Sequence, residues 1–521
     1  MDKILNNSES INIESKPDTK EIELLEFIAI IEELVSLDTI RKIDYLKNSQ
    51  IPMPEPIQEL PSNLNAVDYQ FQSIINLHLL EFLKRNQTIL SEYGCAQYQR
   101  VYPLLLKSKL SMEHFNRPYH DYVRHFTTQW NQAIKENNIR DFCSQLDKHK
   151  YFLQEYFSIL YGKKSMTHQE VLEHRFGSAL TKHYSSQIQS YRKNYQNFYG
   201  KLKKGEDFSS DRQFLSALSQ SEIAEVLENQ IQYFKQIFAD FTIEIVFAEH
   251  HLPSIHQLDK CSYTIFLPKR FTFAQQLHTL LGYLAHVFYP QYLEVQENEV
   301  PLWINDLSSQ SSISFMEAVL INHFQLLPVL SKDYLHRLSQ DILRVSQAET
   351  KPKLTQLQVE LLTQFLSLQK NPLDSTLSNP IQRILTLSVE HNVEELWFND
   401  EITSQELAYY FQEEFQTFVA KKPSHHMEGS LRMKNWITGD LGNAFAMMAG
   451  FLSIFSNGLI DSRTNHNYSI FFHHLQTNTL SDWKPTKLKT IAERTDCNHG
   501  QMGSVFFSQV FSKQYLNSFK K

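Results

Sequence analysis

Only 13 of the 521 residues are glycine, where about 7% is usual. Tight hairpins and left-handed turns draw on glycine, so a chain this poor in it is not built from many short strands. It carries instead long stretches with apolar residues three and four apart, the spacing of one helix face. These run over about 22–46, 64–90, 119–160, 166–204 and 210–239, and again over 273–289, 312–327, 331–347, 354–369, 378–397, 403–419 and 484–517, with 403–419 opening on a capping-type signature, Thr403-Ser-Gln-Glu406. One region departs from the pattern. Thr242–Phe247 (TIEIVF) and Ser262–Leu267 (SYTIFL) are β-rich runs, separated by a loop holding His250, His251 and Pro253. They predict a small antiparallel pair, the only sheet in a mainly α chain. Connections are short and polar, so residues 22–521 read as one large helical domain behind a polar tail at 1–21.

Bulk properties narrow the function. A formal charge of −8 without a long basic block gives no electrostatic reason to expect nucleic acid. Hydrophobic content of 42% with 21% charged residues is globular rather than disordered. Cys95, Cys143, Cys261 and Cys497 are scattered, which argues against a disulfide framework and for a reducing compartment. The first 21 residues lack the apolar core of a signal peptide. The uncharged run Leu441–Ile460 is long enough to span a bilayer. Three glycines, Asn443, Asn457 and two serines dilute it, so a buried core helix is expected and no membrane span. Thirty-six Phe, 24 Tyr and 5 Trp fit a large core or a ligand cleft equally; Tyr151–Phe157 and Tyr409–Phe411 serve either reading.

The most informative local feature is a motif with a part missing. Gly282-Tyr-Leu-Ala-His286-Val-Phe-Tyr-Pro-Gln291 lies in a helical stretch where a zinc peptidase would carry His-Glu-x-x-His. That motif places two imidazoles on one helix face, and the glutamate activates metal-bound water. Here the second histidine is present as His286, while Gly282 and Tyr283 stand where the first histidine and the glutamate belong.

In this order of features the chain resembles the carboxypeptidase Taq family of zinc metallocarboxypeptidases, over residues 25–515. The resemblance rests on an opening helix with a proline turn at Met53-Pro54 and a small β element before the metal-site helix. It rests also on His286–Gln291, on Leu396-Trp-Phe398 followed by Glu401-Ile402 and Glu406-Leu407, and on Leu441-Gly-Asn-Ala444. It implies a helical saddle with a deep groove, zinc on the groove floor, often a homodimer, and a cytoplasmic protein; a protein secreted without a cleaved signal would look the same.

The departures fall on the polar groups of the family's site. The strand that would carry an arginine reads Cys261–Pro268, uncharged. The family's third ligand, a glutamate beside a histidine, aligns with Glu317 in Met316-Glu-Ala318, without the histidine. The tyrosine-rich turn before the last buried helix reads Asn435-Trp-Ile-Thr-Gly439. A catalytic zinc needs three protein ligands, and His286 with Glu317 supply two. His278 lies eight residues before His286, about 12 Å along a helix, too far to share one ion at a tetrahedral angle. His250, His251 and His256 beside Glu249, and His425-His426 near Glu428, read as polar loops rather than ligand sets.

Three expectations follow from these residues. The first is a catalytically inactive homologue that binds a peptide or protein in its groove, with His278, Tyr283, His250 and His251 along it and no cofactor. The second is a working carboxypeptidase with a rebuilt zinc site that removes C-terminal residues. The third is a helical interaction protein with an exposed apolar patch elsewhere.

Overall fold

The computed structural model describes residues 109–117, 119–136, 138–199, 218–237, 241–248, 253–257, 261–269, 271–292, 332–346, 380–419 and 441–456, with single positions between 85 and 107, 318 and 325, and 355 and 359. The stretches expected as helices at 22–46, 64–90 and 484–517, and the polar tail, lie outside the described residues. The chain divides into two compact units, one of residues 1–38 and 59–122, the other of 39–58 and 123–521. In the smaller, Phe115 and Tyr122 stack with ring centroids 3.8 Å apart.

The described elements run α1 (Tyr119–Glu136), α2 (Arg140–Tyr161), α3 (His168–Phe176), α4 (Ser178–Tyr199), α5 (Gln220–Ile237), β1 (Thr242–Ala248), β2 (Ser254–Gln257), β3 (Ser262–Pro268), α6 (Phe273–Tyr292), α7 (Lys332–Ser346), α8 (Pro380–Phe398), α9 (Leu407–Val419) and α10 (Asn443–Ser456). The mainly α expectation holds, with two of its long helices divided. The 119–160 stretch breaks near Asn138, whose side-chain oxygen accepts from Arg140 N at 2.9 Å and starts α2. The 166–204 stretch breaks at Gly177, where φ is 88°.

The sheet corrects the antiparallel pair. β1 and β3 run parallel, and β2 pairs antiparallel with β3 in the order β1-β3-β2. Ser254-Ile-His-Gln257 is too short and polar to announce itself as a strand, so it reads as loop. Once it reverses the chain, β3 necessarily returns in the direction of β1.

Local chemistry sets the helix ends. Thr167 accepts from Glu170 N while Glu170 returns a bond to Thr167 N, a capping box that opens α3. Thr403 and Glu406 make the same reciprocal pair ahead of α9, as the sequence pattern there predicts. Between α8 and α9 the turn passes through Asp400 at φ 61°. It is held by α2: Lys150 reaches Asp400 at 2.5 Å, and Gln154 donates to Phe398 O at 2.8 Å. Trp397 donates to Ser404, which donates to Asp147.

The core of the larger unit gathers Phe152, Val171, Tyr191, Phe234, Phe266, Leu281, Leu284, Trp397 and Phe398, all essentially inaccessible to water. Leu441 to Leu452 are buried without exception, which makes this apolar run a core helix. No described helix is long and apolar enough to cross a membrane. The aromatic stretches divide by face: Phe152, Phe157 and Phe411 are inside, while Tyr151, Tyr409 and Tyr410 are exposed.

Candidate functional site

His278, Gly282 and His286 follow at four-residue intervals on α6 and so share one face. His278 is buried; Tyr283 and His286 are half-buried, with ring centroids 6.0 Å apart. The neighbour across from this face is Gln325. A methyl group placed on Gly282 would lie 2.5 Å from Gln325 Nε2 and 3.3 Å from its Cδ. Gln325 is itself buried and donates to the carbonyl of His278 at 3.2 Å. Close by in sequence, Asn322 donates to Ala318 O at 2.7 Å and to Met447 O of α10 at 2.9 Å. The 318–325 segment is thereby hydrogen-bonded both to α6 and to the last core helix.

The position of the missing histidine is therefore taken up by the end of the Gln325 side chain, and glycine is the residue that lets the helix and the carboxamide approach. Among the described residues, the place where the first imidazole would stand faces a neutral amide whose nitrogen is a donor, which does not supply that zinc ligand. His286 is on the expected face. Glu317, His250 and His251 lie outside the described residues. Of the loop histidines, His256 is described on β2, with Nε2 3.1 Å from Ser254 Oγ and its ring edge-on to Phe266. Among the described residues no three His, Cys, Asp or Glu side chains converge on a metal-sized space.

A second polar cluster escapes sequence reasoning. His168, the first residue of α3, and Glu394 in α8 are 0% and 2% exposed and meet at 2.6 Å between Nε2 and Oε1. The same carboxylate oxygen accepts from Gly442 N, 2.6 Å away, at the start of α10. Gly442 holds φ at 84°, and a side chain there would overlap Leu172 and crowd Arg175 and Phe176. Asn399 accepts from His168 N at 2.8 Å. His391, one turn before Glu394, sits with its ring centroid 5.5 Å from that of His168 and 5.6 Å from that of Phe445. Burial holds the His391 imidazole well below its usual range, and the charges of His168 and Arg192 push the same way. The available signal was a histidine and a glutamate three apart in α8, a helix in which Val389, Val393 and Trp397 are buried as well. Buried this deeply, the cluster faces no substrate. The Cys143 thiol is equally enclosed, bonded to Ser404 O and pushed up to about 11 by burial and then by Asp147 and Asp141, so it is no nucleophile.

Neither family sequence profiles nor curated proteins match the chain. Solved structures do. The M32 carboxypeptidase of Deinococcus radiodurans R1 superposes with a TM-score of 0.64 at 11% identity, over 97% of this chain and 100% of that one. A carboxypeptidase of Pyrococcus furiosus gives 0.60 at 11%, over 96% and 98%. Metallocarboxypeptidase 1 of Trypanosoma cruzi gives 0.59 at 11%, over 96% and 98%. The chain carries, over nearly its whole length, the mainly helical fold of the M32, or Taq-type, carboxypeptidases.

Proposed function

We propose that the protein is a catalytically degenerate carboxypeptidase homologue that binds a peptide or protein segment and does not hydrolyse it. One observation carries this reading: the place of the first metal-binding imidazole is a glycine pressed against the buried carboxamide of Gln325. Loss of a ligand alone could be offset by a neighbour. The close approach of Gln325 to Gly282 supports the reading that the space as well as the ligand is gone. The binding role is supported by the fold, whose solved examples are carboxypeptidases, and by the retention of that fold at 11% identity. Tyr283 and His286 remain part-exposed on α6, the helix that carries the incomplete His-Glu-x-x-His pattern.

The test is the zinc content of the purified protein by elemental analysis, with His286→Ala alongside and a carboxypeptidase assay on unblocked peptides. The expected result is substoichiometric zinc, unchanged by His286→Ala, and no release of C-terminal residues. Stoichiometric zinc lost in His286→Ala, together with cleavage, would overturn the proposal and show a working zinc carboxypeptidase. Binding is read by fluorescence anisotropy with labelled peptides whose C-terminus is free or amidated; saturable binding weakened by Tyr283→Ala is expected.

A further inference from the structure

We propose that the His168–Glu394–His391 cluster is an acid-released clasp that ties the start of α10 to α3 and α8. The geometry joins three elements at one carboxylate. Glu394 in α8 accepts from the imidazole that begins α3 and from the backbone N–H that begins α10. A carboxylate can only accept, so Nε2 of His168 carries the proton in this contact. Nδ1 of His391 and Nδ1 of His168 are both buried without a hydrogen-bond partner among the described residues. While His391 is neutral, Nδ1 can remain a bare acceptor. As a cation both its nitrogens carry protons, and Nδ1–H then has nothing to donate to.

The charged surroundings oppose that second proton. His168 faces His391 from α3, and Arg192 acts on it from α4. Arg192 is itself paired with Glu414 of α9 and donates to Ser388 O. Arg175 of α3 donates to Asn443 at the α10 start. Residues 441–452, the turn into α10 and its first part, bring no charge of either sign. Among the described residues the buried carboxylate beside it is Glu394, whose Oε1 already accepts from His168 and Gly442. A proton entering His391 is accommodated by opening the seam where Gly442 N–H meets Glu394 and Arg175 meets Asn443 at the start of α10.

The sign follows from linkage. The imidazole of His391 binds its proton more weakly in the folded chain than in the unfolded one, so the unfolded or opened form takes up protons first. Stability is complete above about pH 6.5 and falls as the pH drops below it.

Amide hydrogen exchange of the full chain at pH 7.5, 6.5, 5.5 and 5.0, corrected for intrinsic rates, tests this directly. Protection at Gly442–Ala446 is expected to fall about ten-fold per pH unit below 6.5, the slope for one proton, while amides of α5 keep theirs. In His391→Phe, which keeps a ring against Phe445, or in His391→Gln, that pH dependence is expected to vanish. Uniform loss across α5 and α10 in the wild type, or an unchanged slope in whichever variant folds, would overturn the proposal. The outcome is independent of zinc and of peptide cleavage.

Discussion

A glycine inside a helix ordinarily weakens it by about 0.5–1 kcal/mol relative to alanine. Gly282 should behave the other way. Gly282→Ala is expected to cost about 1–2 kcal/mol, because the new methyl group meets Gln325 Nε2 at 2.5 Å and overpacking exceeds the gain in helix propensity. Gln325→Ala makes room, so the double variant should be more stable than the sum of the two single changes, with a coupling of about 1–2 kcal/mol. Urea denaturation of the four proteins measures it, and strict additivity would mean that the two residues do not share the space. Glu394 admits a similar comparison. Glu394→Ala strands two buried donors, the His168 imidazole and Gly442 N–H, and should cost about 3–5 kcal/mol. Glu394→Gln keeps an acceptor and should cost about 1–3 kcal/mol. Equal losses in the two would show that the acceptor does not matter. The clasp went unseen in the sequence because its three parts, at 168, 394 and 442, come together only through tertiary packing. The signal at Gly282 was legible because a familiar helix pattern lacked a member.

At the scale of elements, what the sequence announces is what short-range chemistry decides. The Thr-x-x-Glu ahead of α9 and the apolar periodicity of α5, α7 and α8 are local, and they appear where expected. β2 and the direction of β3 were not legible, since four residues with a single apolar side chain become a strand only when β3 supplies their hydrogen bonds. The capping box of α3 gives a direct test. The Thr167 backbone N–H, then Lys163, holds the Glu170 carboxyl down at about 2, below its usual 4.5. A depressed carboxyl contributes stability above its unfolded value and loses it on acidification. The difference between wild type and Glu170→Gln should therefore be full above about pH 4.5 and shrink toward pH 2, read from urea midpoints across that range. Thr167→Ala should cost about 1 kcal/mol at neutral pH. The turn from α8 to α9 is held from outside, and Ser404→Ala, which leaves the buried Trp397 indole N–H without its acceptor, should cost about 1–3 kcal/mol.

For the whole molecule the question is whether the fold still has a place for the chemistry its solved counterparts are named for. At 11% identity the fold is shared, and in this chain it is filled by large apolar side chains. Apolar packing tolerates exchange of one side chain for another of similar volume; a metal site requires particular atoms at particular angles. The fold is consequently readable across a gulf in sequence, while a site that depends on particular atoms is not. Gln325 could not be read at all, because nothing near Gly282 in the sequence points to it. The decisive experiment rebuilds the motif in two stages. Gly282→His with Tyr283→Glu restores His-Glu-x-x-His over 282–286, yet the new imidazole enters space that Gln325 fills. Zinc uptake by that variant should stay substoichiometric by elemental analysis. Adding Gln325→Ala frees the space and should raise the bound zinc, with a higher unfolding temperature in its presence, since a metal that binds only the folded form stabilises it. If the first variant takes up zinc fully with Gln325 intact, then ligand loss alone separates this chain from a metal site, and the repacking around Gly282 is incidental.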